Sequence, residues 1–133
     1  MKYFLSAFHV LHRPEAGFFI LRWLVAGLML FHGVSKLLHG LDAIELRLAG
    51  FGLPAFIAYG ALLGEVAAPL LVLANRLVAP AALVMAFNMV VAVALTHTSQ
   101  FLTLSKSGGW ALELQAFYFF GSLVIALMAP RET

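Results

Sequence analysis

The stretch PAFIAYGALLGEVAAPLLVLANRLVAPAALVMAFNMVVAVALTH, residues 54–97, decides the fold. It holds two apolar runs, 54–74 and 77–97, parted only by Asn75 and Arg76. Each run has the ~20 residues that a helix needs to cross a hydrocarbon core of ~30 Å. Within lipid every backbone N–H and C=O must be satisfied inside the segment, so each run is expected to be a helix. A two-residue break between them sends the second span back antiparallel to the first.

Two further apolar runs lie outside this hairpin. One covers 16–38 and begins just after Pro14, a residue favoured at helix starts. The other covers 110–129 and ends at Pro130. Loops are expected around Gly40–Leu53 and Thr98–Gly109. Ahead of the first span, Phe4, Leu5, Phe8 and Leu11 recur at helical spacing against Lys2, Ser6, His9, His12 and Arg13. This pattern predicts a short amphipathic helix over 1–14, lying in the membrane interface. The expected fold is all-α and integral to the membrane. It is a single domain, 1–133, built as an up-down-up-down bundle of four transmembrane helices.

Composition agrees. Hydrophobic residues make up 63% of the 133 residues and charged residues only 11%, too few charges to cover a soluble domain. The eight basic residues are scattered and form no patch that would grip nucleic acid. With no cysteine, the chain cannot perform thiol–disulfide chemistry or hold a Cys-ligated metal or iron–sulfur cluster. No haem, flavin or metal motif is evident, and a lone His9-x-x-His12 spacing does not make one. Basic residues near the span ends set the expected topology. Lys2, Arg13, Arg76 and Arg131 fall on one face, against Arg47, Lys106 and Lys36 on the other. Both termini are therefore expected in the cytoplasm, with a bacterial inner membrane as the setting.

Ionisable side chains inside a span are costly and usually face the bundle interior. Arg22, His32 and Lys36 share one face of the first span, since Lys36 lies about 40° and His32 about 80° from Arg22 at ~100° per residue. Glu65 sits mid-way along the second span, with Ala58, Ala61 and Ala68 on its face. Gly60 and Gly64 form a small-xxx-small pattern that lets helices approach closely. Pro69, four residues after Glu65, has no N–H to offer the Glu65 carbonyl, which predicts a local kink. Asn88 is central in the third span, and Glu113 lies near the start of the fourth. Helical side chains lean towards their own N-termini. On that basis His32 is expected to meet Glu65, and Lys36 to meet Glu113. Arg22 leans away and would snorkel or bridge through water. Trp110, Phe117, Tyr118, Phe119 and Phe120 read mostly as lipid-facing. The plainer alternatives are that Asn88 is interhelical glue and that Arg22 and Lys36 are interface anchors.

Several of these strings resemble one family. Arg22, followed by Phe31-His32-Gly33-Val34-Ser35-Lys36, resembles the first helix of the DoxX family. Gly64-Glu65, running on through 70–79 with Arg76 in the turn, resembles that family's glutamate helix and arginine turn. Gly108-Gly109 followed by Glu113 resembles the start of its fourth helix. The turn here reads Ala74-Asn75-Arg76, where the family usually has a glycine–leucine–x–arginine turn. The resemblance covers roughly residues 15–130. It implies a small four-helix bacterial inner-membrane protein linked to membrane oxidoreductases.

The expected function is a membrane subunit or anchor of a quinone-linked oxidoreductase or redox-stress system, not catalytic alone. Glu65, His32, Lys36, Glu113, Arg22 and Asn88 would line an interior site for a quinone head group or a proton. Electrons would come from a redox partner protein. A small-solute or ion carrier, acting as a homo-oligomer, is the first alternative. An assembly or chaperone-type subunit is the second. Membrane lipids are the expected surroundings in every case.

Overall fold

The computed structural model describes residues 1–131. Residues 132–133, which include the C-terminus of the topology expectation, lie outside the described residues. The chain is helical, and among the described residues its only β pairing is an isolated bridge between Leu104 and Trp110. A short helix α1, Lys2–Ala7, runs into a 3₁₀ turn, Phe8–Leu11. Its Phe4, Leu5, Phe8 and Leu11 are all exposed.

Helix α2, Pro14–His39, has the start and stop signals its sequence implies. Proline stands in its first turn with Glu15, Lys36 and His39 lie in its last turn, and Gly40 ends it at φ 87°. Arg22, Val25, Ala26, Met29 and Gly33 form its buried stripe, the i, i+3, i+4, i+7 pattern of a helix packed on one side.

A nine-residue helix, α3, Asp42–Gly50, follows where a loop was expected. Its signals are local ones: Asp42 and Glu45 in the first turn and Arg47 in the last complement the helix dipole. Leu48 is its buried anchor, 1% exposed.

Helix α4, Ala55–Leu73, begins with a 3₁₀ turn and widens into a π-helical turn at Leu63–Ala67. There the Ala68 N–H donates to the Leu63 carbonyl, five residues back. The cause is Pro69, whose ring would press on the carbonyl four residues before it in a regular helix. The kink expected at Glu65 takes this form, and Glu65 lies inside the widened turn.

The hairpin turn into α5, Val78–Thr96, is a Schellman motif. The Arg76 N–H donates to the Leu71 carbonyl at 2.9 Å, and the Asn75 N–H to the Val72 carbonyl at 3.2 Å. Asn75 takes φ 57°, a left-handed conformation that asparagine accepts more readily than most residues. A 3₁₀ turn, Thr98–Gln100, and a loop fixed by the Trp110 Nε1–H on the Phe101 carbonyl (2.8 Å) lead to α6, Glu113–Met128.

Helices α2, α4 and α5 are each long and apolar enough to cross a membrane, and α6 is a shorter apolar helix of 16 residues. This fourth apolar helix starts three residues later than the sequence suggested, because 110–112 form the end of the preceding loop. The four helices pack as a ring, α2 on α4, α4 on α5, α5 on α6 and α6 on α2. The main core lies between Val25, Met29, Val72, Ala82, Met85 and Ile125.

Candidate functional site

One carboxylate ties three helices together. Glu65 on α4 is 3% exposed. The Lys36 ammonium of α2 is ion-paired to its Oε2. The Asn88 Nδ2 of α5 donates to its Oε1 at 3.0 Å. Two glycines permit this convergence. A Cβ added at Gly33 would run into the Glu65 carbonyl oxygen and lie 2.6 Å from Val66 Cγ2. A Cβ at Gly64 would lie 2.5 Å from the side chain of Asn88. Both helices thus lie backbone-close to α4 at its π turn, the kind of irregularity often found at functional sites.

Neither expected pairing forms. Lys36, not His32, takes Glu65. Lys36 stands one turn further along α2 than His32, and its long side chain leans back along the helix to the level of the carboxylate. The His32 ring instead meets Tyr118 of α6 edge-on, with centroids 5.7 Å apart and planes at 90°. Tyr118 is therefore not lipid-facing: it is 8% exposed and shares a buried face with Ser122 and Ile125. The spacing 118, 122, 125 carries that signal in the sequence.

Glu113 and Arg22 lie apart from this cluster. Glu113 is the first residue of α6 and is exposed. Its carboxylate folds over Gly109, where an added Cβ would meet Oε2 at 2.5 Å. The late start of α6 leaves the carboxylate at a helix N-terminus, where the dipole favours negative charge. Arg22 does not snorkel. It is 9% exposed, donates from Nη1 to Asn75 Oδ1, and its guanidinium carbon lies 5.9 Å and 6.0 Å from the Phe18 and Phe19 ring centres. Asn75 thus closes the hairpin with its backbone and holds Arg22 with its side chain.

Beside the Lys36–Glu65–Asn88 cluster lies a cavity of about 460 Å³. Its walls are mainly apolar, among them Met29, Val84 and Leu95, and its polar lining comes from His32, Lys36, Glu65, Asn88, Gln115 and Tyr118. Among the described residues the buried amide oxygen of Gln115 has no hydrogen-bond partner. Arg47 of α3 and His97 at the end of α5 line the same cavity at its α3 end. A largely apolar pocket of this size with a few convergent polar groups suits a small organic ligand. Among the described residues no three His, Asp or Glu side chains converge where a metal ion could be held.

No curated protein and no solved structure matches the chain. The model of one family, DoxX, matches residues 17–98. The matched region runs from α2 to the end of α5 and includes Arg22, His32, Lys36, Glu65 and Asn88. With more than half of its length matched, this multi-pass membrane protein belongs to the DoxX family.

Proposed function

We propose that the protein is the membrane subunit or anchor of a quinone-linked oxidoreductase or redox-stress system, and that its cavity takes the quinone head group. The supporting observation is one apolar cavity with its polar groups gathered beside Glu65. The residues fit such a group. A quinone ring offers two carbonyl acceptors and two flat apolar faces. Lys36 has three ammonium hydrogens and Asn88 two amide hydrogens, and each gives one bond to Glu65, leaving donors to spare at the cavity wall. Tyr118 and His32 add a hydroxyl and a ring nitrogen. When bound, a quinone would carry electrons and protons that this chain's side chains cannot store. The chain's own part is to orient the ring, exclude water and exchange a proton at Glu65. Electrons would arrive from a redox partner protein. The setting proposed is a bacterial inner membrane with both termini cytoplasmic, from the Lys and Arg distribution.

One observation favours a second reading, an assembly or chaperone-type role. Both Glu65 oxygens are already engaged, so the cluster would also serve to fix helix register. Binding separates the two. Purified protein in lipid nanodiscs should bind a water-soluble benzoquinone analogue, and Glu65→Gln should stay folded yet lose that binding. No binding by the wild type, or unchanged binding by Glu65→Gln, would overturn the quinone site.

A further inference from the structure

The cavity opens sideways. Its lining includes Gly60, Leu63 and Phe87, yet all three are exposed on the outside of the bundle, Leu63 at 57% and Phe87 at 68%. Residues that both line a cavity and face the surroundings mark an opening, and these three mark one between α4 and α5; His32 on α2, Arg47 on α3 and Leu114 on α6 are exposed lining residues elsewhere on the rim. The helix contacts explain the gap. From Leu63 onward α4 packs against α5, but before Leu63 its neighbours are α2 and α3. The π turn at Leu63–Ala67 is where α4 parts from α5. The cavity's end is roofed by α3, which supplies Ile44, Arg47 and Leu48 to its lining and buries Leu48 beneath it.

We propose that this gap is a lateral portal through which a single-tailed amphiphile enters from the lipid, its head beside Lys36 and Glu65 and its hydrocarbon tail leaving between α4 and α5 past Gly60. The inference rests on the proposed head-group site and adds to it the class of occupant. The ligand is a membrane-soluble molecule with one long chain, and not a water-soluble solute. Three features carry the choice. The portal is continuous with the polar pocket, so head and tail share one volume. Its walls at Leu63, Phe87, Val91 and Leu95 are apolar. The gap lies between two helices that are each long and apolar enough to cross a membrane. Gly60 then has a role that the small-xxx-small pattern does not give it. Gly64 packs against Asn88, but a Cβ at Gly60 would meet nothing within 4 Å. Its lack of a side chain keeps the passage open.

That empty space makes the test clean. Gly60→Phe fills the portal without touching the packed core. Gly27→Phe is the control, since a Cβ there also meets nothing within 4 Å and Gly27 is not part of the cavity lining. In nanodiscs, binding of a tailless benzoquinone is compared with that of the same ring bearing a decyl tail. Gly60→Phe should weaken the tailed ligand by about tenfold or more, the scale on which a pocket rejects a group that no longer fits. It should leave the tailless ring and the melting midpoint unchanged, and Gly27→Phe should bind both ligands as the wild type does. Equal binding of the tailed ligand by Gly60→Phe, or equal loss of both ligands, would overturn the portal.

If neither ring binds the wild type, the quinone reading falls, and photolabelling decides the portal separately. A fatty acid with a diazirine in its chain should label the Phe87–Leu95 segment of the wild type but not of Gly60→Phe. That result keeps the portal, with another single-tailed amphiphile as occupant. Absent or equal labelling removes it.

Discussion

The two ends of the bundle are built differently. At the hairpin end, Val25, Met29, Val72, Ala82, Met85 and Ile125 fill the space between the helices, and Arg22 is held by Asn75. At the α3 end the same four helices enclose a cavity of about 460 Å³, and the first part of α4 leans away from α5. The boundary is the π turn, with Glu65 in it. The lesson concerns where rigidity is placed. The packed end and the backbone-close contacts at Gly33 and Gly64 hold the helices in fixed register, so that the other end can stay hollow without collapsing. Glycines show the contrast sharply. Gly33 is required by contact with another backbone, whereas a Cβ at Gly60 would meet nothing within 4 Å.

The strongest challenge to this contrast is Gly33→Leu. The new side chain would be driven into the Glu65 carbonyl, which belongs to backbone and cannot swing aside. Overpacking typically costs ~1–3 kcal/mol, occasionally more, and this site belongs at the upper end. Unfolding in a denaturing-detergent titration should show the largest loss of the set. A near-wild-type midpoint would mean that α2 and α4 are not in backbone contact.

Next is the ion pair at the boundary. Glu65→Leu leaves the Lys36 ammonium without its counter-charge. Breaking a buried pair costs ~3–5 kcal/mol, but the Lys36 side chain is 30% exposed, so about 2 kcal/mol is expected. Lys36→Met combined with Glu65→Leu should recover most of it, because the pair then leaves as a unit. Glu65→Gln also removes the counter-charge but leaves Lys36 an amide oxygen to donate to, so it should cost less than Glu65→Leu. Equal losses in Glu65→Leu and the double variant would show that Lys36 gains nothing from Glu65.

At the packed end, Asn75→Ala removes the Arg22 partner and puts alanine at φ 57°. About 1–2 kcal/mol should be lost, the cost of a left-handed residue. Asn75→Gly should lose less, since glycine accepts that backbone freely. Identical losses would assign the whole effect to the side-chain bond.

The smallest effect belongs to the hollow end. Gly60→Leu meets open space and removes a helical glycine, so stability should change by no more than about 0.5 kcal/mol and in the favourable direction. Marked destabilisation would show that the portal is packed in the membrane and not open.

The sequence by itself determined the spans, the hairpin turn at Asn75–Arg76 and the irregularity before Pro69. These follow from local rules: apolar length against bilayer thickness, and backbone groups that lipid cannot satisfy. It also determined that Glu65 needs company, since a buried carboxylate without a partner is costly wherever the chain folds. Only the tertiary structure decided which cation answers it. Helical periodicity placed Arg22, His32 and Lys36 on one face, but the depth and rotation of α2 against α4 come from Gly33 meeting the Glu65 backbone, a contact across 32 positions of sequence. The same holds for Tyr118, which read as a lipid-facing aromatic until α6 was set against His32. The roof helix α3 carried legible end charges, but nine residues with one buried leucine are too few to stand out from a loop. An interior site around Glu65 was expected, but its volume and its openings depend on how the helices diverge, which no residue type encodes.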